Sequence, residues 1–301
     1  MKQASILSFT QGRGSRRTIA IQTQQALERG SYVLDDNKYD IEQNTNEAKK
    51  QTKYYAPDSL LSAWSRPQNS RETKLTDISI CEISTLQGAR HLADLKKLDE
   101  KIGVLNFANA IKPGGGWLTG AQAQEESIAR ASNLFPTLTT KDSREFYKLH
   151  NQDQKDPKHG LYSHAMIYSP GILLFRDDDG NWMEPLQVDV LTSAAVNAGE
   201  VRGNHSDPAG LEKLFESQMR ERMARILFLF ESRGAQNLVL GSFGTGVFQN
   251  HVDMVARIWV DLLSVPDARF KTSFSRVVFA ILGKPTFAEF TQIFNSRTMN
   301  Q

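Results

Sequence analysis

The chain has a single cysteine, Cys81, among its 301 residues. An internal disulfide is therefore excluded, and so scarce a use of cysteine fits a reducing compartment. Long apolar runs are missing as well. No stretch approaches the ~20 apolar residues of a membrane-spanning helix, and the N-terminus lacks the apolar core of about 7–15 residues that a secretory signal carries. An intracellular protein with no membrane partner is the expectation. Excess charge of one sign is also lacking: 36 Lys and Arg face 34 Asp and Glu, a net charge of +2. Such a balance argues by itself for neither nucleic acid nor membrane as a partner. The six histidines show no metal-ligand spacing. There is no Gly-x-Ser-x-Gly nucleophile elbow, and neither glycine-rich loop is followed by Gly-Lys-Ser/Thr. Acids are absent from Met1 to Leu27, where Lys2, Arg13, Arg16 and Arg17 occur. Residues 1–14 are read as a flexible basic tail, ahead of one domain over 15–301.

What the chain does have is a regular alternation of two patterns. Asp77–Ile83, Val104–Phe107, Met166–Arg176, Leu186–Leu191, Leu238–Leu240 and Val277–Leu282 are short apolar or alternating runs that read as strands. Between them lie helical patterns at Ser15–Arg29, Leu86–Leu98, Leu211–Ser232, Asp253–Leu263 and Thr286–Phe294, the first with Ser15 as its expected cap and Gly30 as its stop. Asp35–Thr52 is read as a polar surface segment with some helix after Asn44, and Glu200–Gly210 as a polar loop. The alternation predicts an α/β fold with a mostly parallel sheet covered on both faces. The turn Asp177–Asn181 adds some antiparallel pairing, so the sheet should be mixed.

One stretch concentrates the chemistry. A buried strand ending at Asn106-Phe107-Ala108-Asn109 leads to Gly114-Gly115-Gly116, and seven residues later to Gln124-Glu125-Glu126 at the start of a helix. Three glycines permit positive φ and close approach of the backbone to a ligand. A second glycine-rich loop, Gly241–Phe248, follows another strand. In a parallel sheet both loops fall along one edge, where ligands bind, and their N–H groups suit phosphate. Two such loops, one joined to an acid pair, favour a diphosphate-containing ligand over mere strand-to-helix turns. Adjacent glutamates at a helix start also complement the helix dipole. Alternatively, one carboxyl can donate a proton to a glycosidic oxygen and then help activate water. On residue chemistry alone the two acids are not distinguished. Asn109, at the strand end, fits a sugar contact and a loop-capping role equally well.

Taken in order, these runs resemble a known family. Asn106-Phe107-Ala108-Asn109-Ala110, the triple glycine with Gln124-Glu125-Glu126-Ser127, Tyr168-Ser169-Pro170-Gly171 through Phe175-Arg176-Asp177-Asp178, Thr192–Gly199 and Leu238–Gly241 are similar to the microbial-type, bacterial-like poly(ADP-ribose) glycohydrolases. The resemblance covers roughly Ser15 to Leu282. It implies a three-layer α/β/α macrodomain-like fold and hydrolysis of the ribose–ribose O-glycosidic bonds of poly(ADP-ribose). Under it Glu126 is the catalytic acid/base, and Glu125 holds ribose hydroxyls beside it. Gly114, Gly115, Gly116, Gln124 and Asn109 contact the substrate, Gly244, Thr245, Gly246 and Val247 bind its diphosphate, and Phe248 packs on the distal ribose. No metal or other cofactor is expected. The family's second loop usually reads Gly-Ala-Trp-Gly-Cys-Gly-Val-Phe; here Ser242, Phe243 and Thr245 depart from it, while every glycine is kept.

The implied partner is poly(ADP-ribose) or an ADP-ribosylated protein, acted on by a monomer. The alternatives are a reader that binds ADP-ribose without turnover and a hydrolase acting on another acceptor such as nucleic acid. Separately, Gln3, Ile6 and Phe9 resemble the box by which proteins dock on the replication sliding clamp, with Thr10 in place of its second aromatic. That box would favour a nuclear location and a part in the DNA damage response.

Overall fold

The computed structural model describes residues 12–66, 74–97, 99–152, 156, 158–203 and 208–299. Gln3, Ile6 and Phe9 lie outside the described residues. The elements run α1 (Arg13–Arg29), β1 (Ser31–Leu34), β2 (Asn37–Asp40), α2 (Glu42–Gln51), β3 (Lys53–Tyr55), β4 (Asp77–Cys81), α3 (Thr85–Leu95), β5 (Lys101–Phe107), α4 (Gln124–Ala131), α5 (Leu134–Leu138), α6 (Ser143–His150), β6 (Met166–Arg176), β7 (Trp182–Ser193), α7 (Ala198–Gly203), α8 (Pro208–Ser232), β8 (Ala235–Leu240), α9 (Val252–Leu263), β9 (Arg276–Ala280) and α10 (Lys284–Met299).

Seven strands form one sheet in the order β3-β6-β7-β5-β8-β9-β4. β5 pairs in parallel with β7 and β8, and β9 in parallel with β8 and β4. β6 is antiparallel to both β7 and β3. Because successive strand residues point to opposite faces, consecutive apolar residues feed two different cores. Leu105, Leu191, Leu238, Leu240 and Phe279 pack with Phe215, Met223, Trp259 and Phe290 of α8, α9 and α10. Val104, Val190, Val239 and Val278 pack with Leu92, Ile128, Leu134 and Phe146 of α3 to α6. That is why these strands read as continuous apolar runs, and it makes the sheet the middle of three layers.

The structure departs from the sequence reading at four places. Helix α1 starts at Arg13, inside the expected tail, with Gly12 rather than Ser15 at the N-cap position and no capping side chain. Tertiary contacts anchor this end instead: Arg13 Nε donates to Thr119 O at 3.0 Å and Arg16 Nε to Gly120 O at 2.9 Å. The segment Ser31–Asp40 is a hairpin whose two turn residues, Asp35 and Asp36, both take positive φ, 47° and 63°. Its face stacks Tyr32 on Trp182, with ring centroids 4.7 Å apart. Part of the expected polar loop is helix α7, where Asn197 and Glu200 bond reciprocally: Asn197 Nδ2 to Glu200 Oε2 at 2.7 Å, and Glu200 N to Asn197 Oδ1 at 3.4 Å. The strand after the turn at Asp179, β7, already starts at Trp182 rather than at Leu186.

A fully buried cation secures the layer that carries the site. Arg222 of α8 donates to Ala194 O at 2.8 Å, Leu161 O at 2.9 Å and Tyr162 O at 3.1 Å. Arg222→Leu leaves those carbonyls without their donor, and a loss of about 3 kcal/mol is expected. Urea unfolding of the two proteins measures it, and an unchanged midpoint would show that the carbonyls find other partners.

Candidate active site

The site forms where β5 ends. Gln124, the first residue of α4, inserts its side-chain amide beside that strand: Phe107 N donates to Gln124 Oε1 at 2.8 Å, and Gln124 Nε2 donates to Leu105 O at 2.7 Å and Thr85 Oγ1 at 3.1 Å. The amide thus continues the ladder of β5 by one rung and fixes the start of α4 on the sheet. The next two residues are the paired glutamates, both buried, at 2% and 9% exposure for Glu125 and Glu126. Glu125 Oε2 accepts from Asn109 N at 2.7 Å, and Oε1 from Asn106 Nδ2 at 3.2 Å. Glu126 Oε1 accepts from Gly116 N at 2.9 Å.

The triple glycine is shaped around these carboxylates. Gly114 and Gly115 take φ of 67° and 57°. A side-chain carbon on Gly115 would lie 2.3 Å from Glu126 Oε1 and 3.3 Å from Glu125 Oε2, so both acids converge on that one backbone position. Gly114–Gly116 are not among the residues that line the cavity; their nearest work is holding the acids. Asn109 Oδ1 accepts from Ile111 N at 3.0 Å and Lys112 N at 2.8 Å, so its carbonyl caps the loop and its Nδ2 is the atom available for a sugar.

The second loop faces Asn109, Gln124 and the two glutamates across a cavity of about 500 Å³. Gly244 has φ of 77°, and a side-chain carbon there would strike Ala195 Cβ at 2.4 Å. Asn250 Nδ2 fastens the loop from behind, on Gly244 O at 2.9 Å and Val196 O at 2.7 Å. Gly199 N donates to Phe248 O at 3.2 Å. Gly246 has open space around it, and Val247 is 80% exposed. The departures from the family pattern leave this frame intact. Phe243 is buried against Phe107, with centroids 5.5 Å apart, and Thr245 Oγ1 bonds Ser242 O at 3.0 Å. Of the residues singled out in the sequence, Asn109, Gln124, Glu125, Glu126 and Gly244 to Phe248 line the cavity together.

Several lining residues were missed by sequence reasoning: Arg16 and Ile19 of α1, Ile83 and Ser84 after β4, Arg130, and Asp178. Arg130, four residues after Glu126 on α4, carried a usable signal, since that spacing puts them on one helix face. Its guanidinium bonds Ala121 O at 2.6 Å. Asp178 accepts from Ser84 Oγ at 2.5 Å, a contact across 94 positions that no local pattern announces. Among the described residues no group of three or more His, Cys, Asp or Glu could hold a metal ion, and no helix is long and apolar enough to cross a membrane.

Burial pushes the Glu125 carboxyl up to about 8, assisted by the neighbouring Glu126 charge and opposed by donors from Asn109, Asn106 and Gly114. The unfolded chain ionises this group near the ordinary glutamate value of 4.5, so between the two values the folded protein holds the extra proton. Raising the pH through that window withdraws stability. Burial holds His150 and His164 at about 3, well below 6.5, so they act in the opposite sense, but only below pH 6.5. From pH 6.5 to 8 the ligand-free protein is expected to lose on the order of 1–2 kcal/mol, and Glu125→Gln to flatten that slope. Denaturant titrations at four pH values check it.

A mixed seven-stranded sheet between helical layers, two glycine loops at its carboxyl edge and an acid pair between them define a macrodomain-like protein with a hydrolase-type site. More closely, the family model for the microbial-type PARG (poly(ADP-ribose) glycohydrolase) catalytic domain matches residues 20–177, and the chain belongs to that family. Poly(ADP-ribose) glycohydrolase from Thermomonospora curvata is similar over 93% of this chain and 100% of its own, at 36% identity and a TM-score of 0.84. The Thermomonospora curvata enzyme bound to the inhibitor ADP-HPD matches at 35% identity and a TM-score of 0.81, over 93% of this chain and 99% of that one. The Deinococcus radiodurans enzyme in complex with ADP-ribose matches at 31% identity and a TM-score of 0.73, over 84% and 98% of the two chains. No curated protein sequence matches the chain.

Proposed function

We infer that this chain hydrolyses the ribose–ribose O-glycosidic bonds of poly(ADP-ribose), releasing ADP-ribose, and that Glu126 is the acid/base. The activity follows from membership of the microbial-type glycohydrolase family. It is supported by likeness to enzymes solved with ADP-ribose and with the inhibitor ADP-HPD. The observation that carries the residue assignment is the convergence of two buried carboxylates on Gly115, beside a cavity whose far wall is the glycine loop Gly244–Phe248.

The terminal unit lies with its diphosphate on the N–H groups of Gly244–Val247, its distal ribose between Phe248 and Asn109 Nδ2, and its C1″ over Glu126. Glu126 donates its proton to the glycosidic oxygen as the C1″–O bond breaks and the bonding pair passes to that oxygen. The Glu125 side faces the positive charge left on the ribose and holds its hydroxyls. Water then adds to C1″ and its proton returns to the Glu126 carboxylate, closing the cycle without a cofactor.

The direct test is incubation with automodified protein carrying polymer. Release of ADP-ribose supports the reading; tight ADP-ribose binding with no release from polymer would leave a reader in its place. Release only from singly modified protein or nucleic acid would move the substrate class. We also propose that the residues ahead of α1 serve as a docking tail on a monomeric enzyme, with Gln3, Ile6 and Phe9 seating on a sliding clamp. Such docking would bring the activity to replicating or damaged DNA in a nucleus. Clamp affinity unaffected by Ile6→Ala with Phe9→Ala in the full chain would end that idea.

A further inference from the structure

The cavity, the buried titratable groups outside it and the exposed apolar side chains leave one arrangement that the mechanism above uses only in half: the pair of carboxylates itself. Glu125 and Glu126 both reach the one position at Gly115, and among the described residues their donors are neutral: the backbone N–H groups of Asn109, Gly114 and Gly116, and the Asn106 side chain. Among the described residues no Lys, Arg or His forms an ion pair with either carboxylate. Two acids brought together in a site this buried, without a bonded cation, cannot both carry charge at modest cost.

The surrounding elements make the two acids unequal. From α6 the buried Tyr147 hydroxyl faces Glu125, a group that never supplies positive charge. From β5 Glu125 accepts from the Asn106 amide, whose Nδ2 is shared with Thr192 Oγ1 of β7 at 3.1 Å. On the Glu126 side, α4 supplies the Arg130 guanidinium, near enough to interact electrostatically though bonded to Ala121 O, and Arg16 of α1 and Asp178 after β6, which both interact with Arg130, line the same cavity. Both acids line the cavity, but the donors around Glu125 are neutral dipoles, while Glu126 also feels a cation.

We propose that Glu125 and Glu126 hold one proton between them across the Gly115 turn, and that Glu125 thereby sets the pH range in which Glu126 acts as the acid. The proposal rests on the glycohydrolase reading above. The productive form is the singly protonated pair. With the proton on Glu126, that residue can protonate the leaving oxygen while the Glu125 carboxylate, now ionised, stabilises the cation forming on the ribose. A doubly protonated pair loses the stabilising charge, and a doubly ionised pair loses the acid. Both limbs of the pH profile therefore belong to the pair rather than to either residue.

The test is the pH dependence of kcat/KM for ADP-ribose release by wild type and Glu125→Gln. The wild type should show a bell with its alkaline limb near pH 8. In the variant the acid limb should vanish and the alkaline limb should move down by about 1–3 pH units, the span a like-charge neighbour controls. A variant that is slower at every pH but keeps both limbs would make Glu125 a ribose ligand only and overturn the proposal. If Glu125→Gln fails to fold, infrared pH titration of the wild type and Glu126→Gln decides. A carboxylic-acid carbonyl band should persist at pH 7, and Glu126→Gln should lower the pH at which it disappears. Absence of such a band, or a band indifferent to Glu126→Gln, overturns the shared proton. This readout needs no polymer, so it stands apart from a failure of the hydrolase reading itself.

Discussion

Glu126→Gln is expected to slow release of ADP-ribose from polymer by about 10²–10⁴-fold, the range that loss of a positioned acid/base produces, while binding of free ADP-ribose changes little. The substitution is nearly isosteric. The amide oxygen can keep the Gly116 N–H bond that Glu126 Oε1 accepts at 2.9 Å, so α4 and the triple glycine retain their contact. What is removed is the ability to give a proton and take it back. Single-turnover release from automodified protein, set beside calorimetry with ADP-ribose, separates the two effects. Wild-type and variant rates that coincide would take the acid/base role from Glu126.

The second large effect is expected from a residue with no side chain. Gly115→Ala should reduce kcat/KM by about 10²-fold or more, because displacement of a reacting group by some 1 Å has that consequence. The added carbon would fall 2.3 Å from Glu126 Oε1, and either the carboxylate or the loop must move. The residue also holds φ of 57°, and forcing alanine to stay there costs about 1–2 kcal/mol. Stability should therefore fall modestly while activity falls steeply. Thermal unfolding and polymer hydrolysis on the same preparation test this. A variant with near-normal turnover would mean that the carboxylate can be held from elsewhere.

The parts of this molecule that could be read from its sequence are those in which local pattern and tertiary role coincide. Val104-Leu105 and Val239-Leu240 read as buried strands because consecutive residues enter opposite cores. The stretch from Asn106 to Glu126 was legible because strand, glycines and acids follow one another along the chain. The hairpin of β1 and β2 was not, since Asp35-Asp36 makes its tight turn without the glycine that usually marks one. Helix α7 was hidden in a polar run whose reciprocal Asn197–Glu200 bonds appear only once the turn is formed. Within the site, the sequence showed that Gly114–Gly116 are conformationally free, but not that both carboxylates converge on Gly115. Arg16, Ser84 and Asp178 enter the cavity through long-range contacts, for which sequence spacing offers no rule.

The grip of α1 on the turn after the triple glycine has a practical corollary. A side-chain carbon on Gly120 would lie 2.3 Å from Arg13 O, and Arg13 and Arg16 bond Thr119 O and Gly120 O. The turn that leads from the glycines to α4 is thus braced by the first described residues of the chain. The match to the family model begins at residue 20, and a fragment cut there would keep Glu125, Glu126 and both glycine loops yet lose this brace. A truncation series is expected to place the start of the smallest active fragment near residue 12, an outer edge drawn by the site's need for support and not by the reach of its motifs.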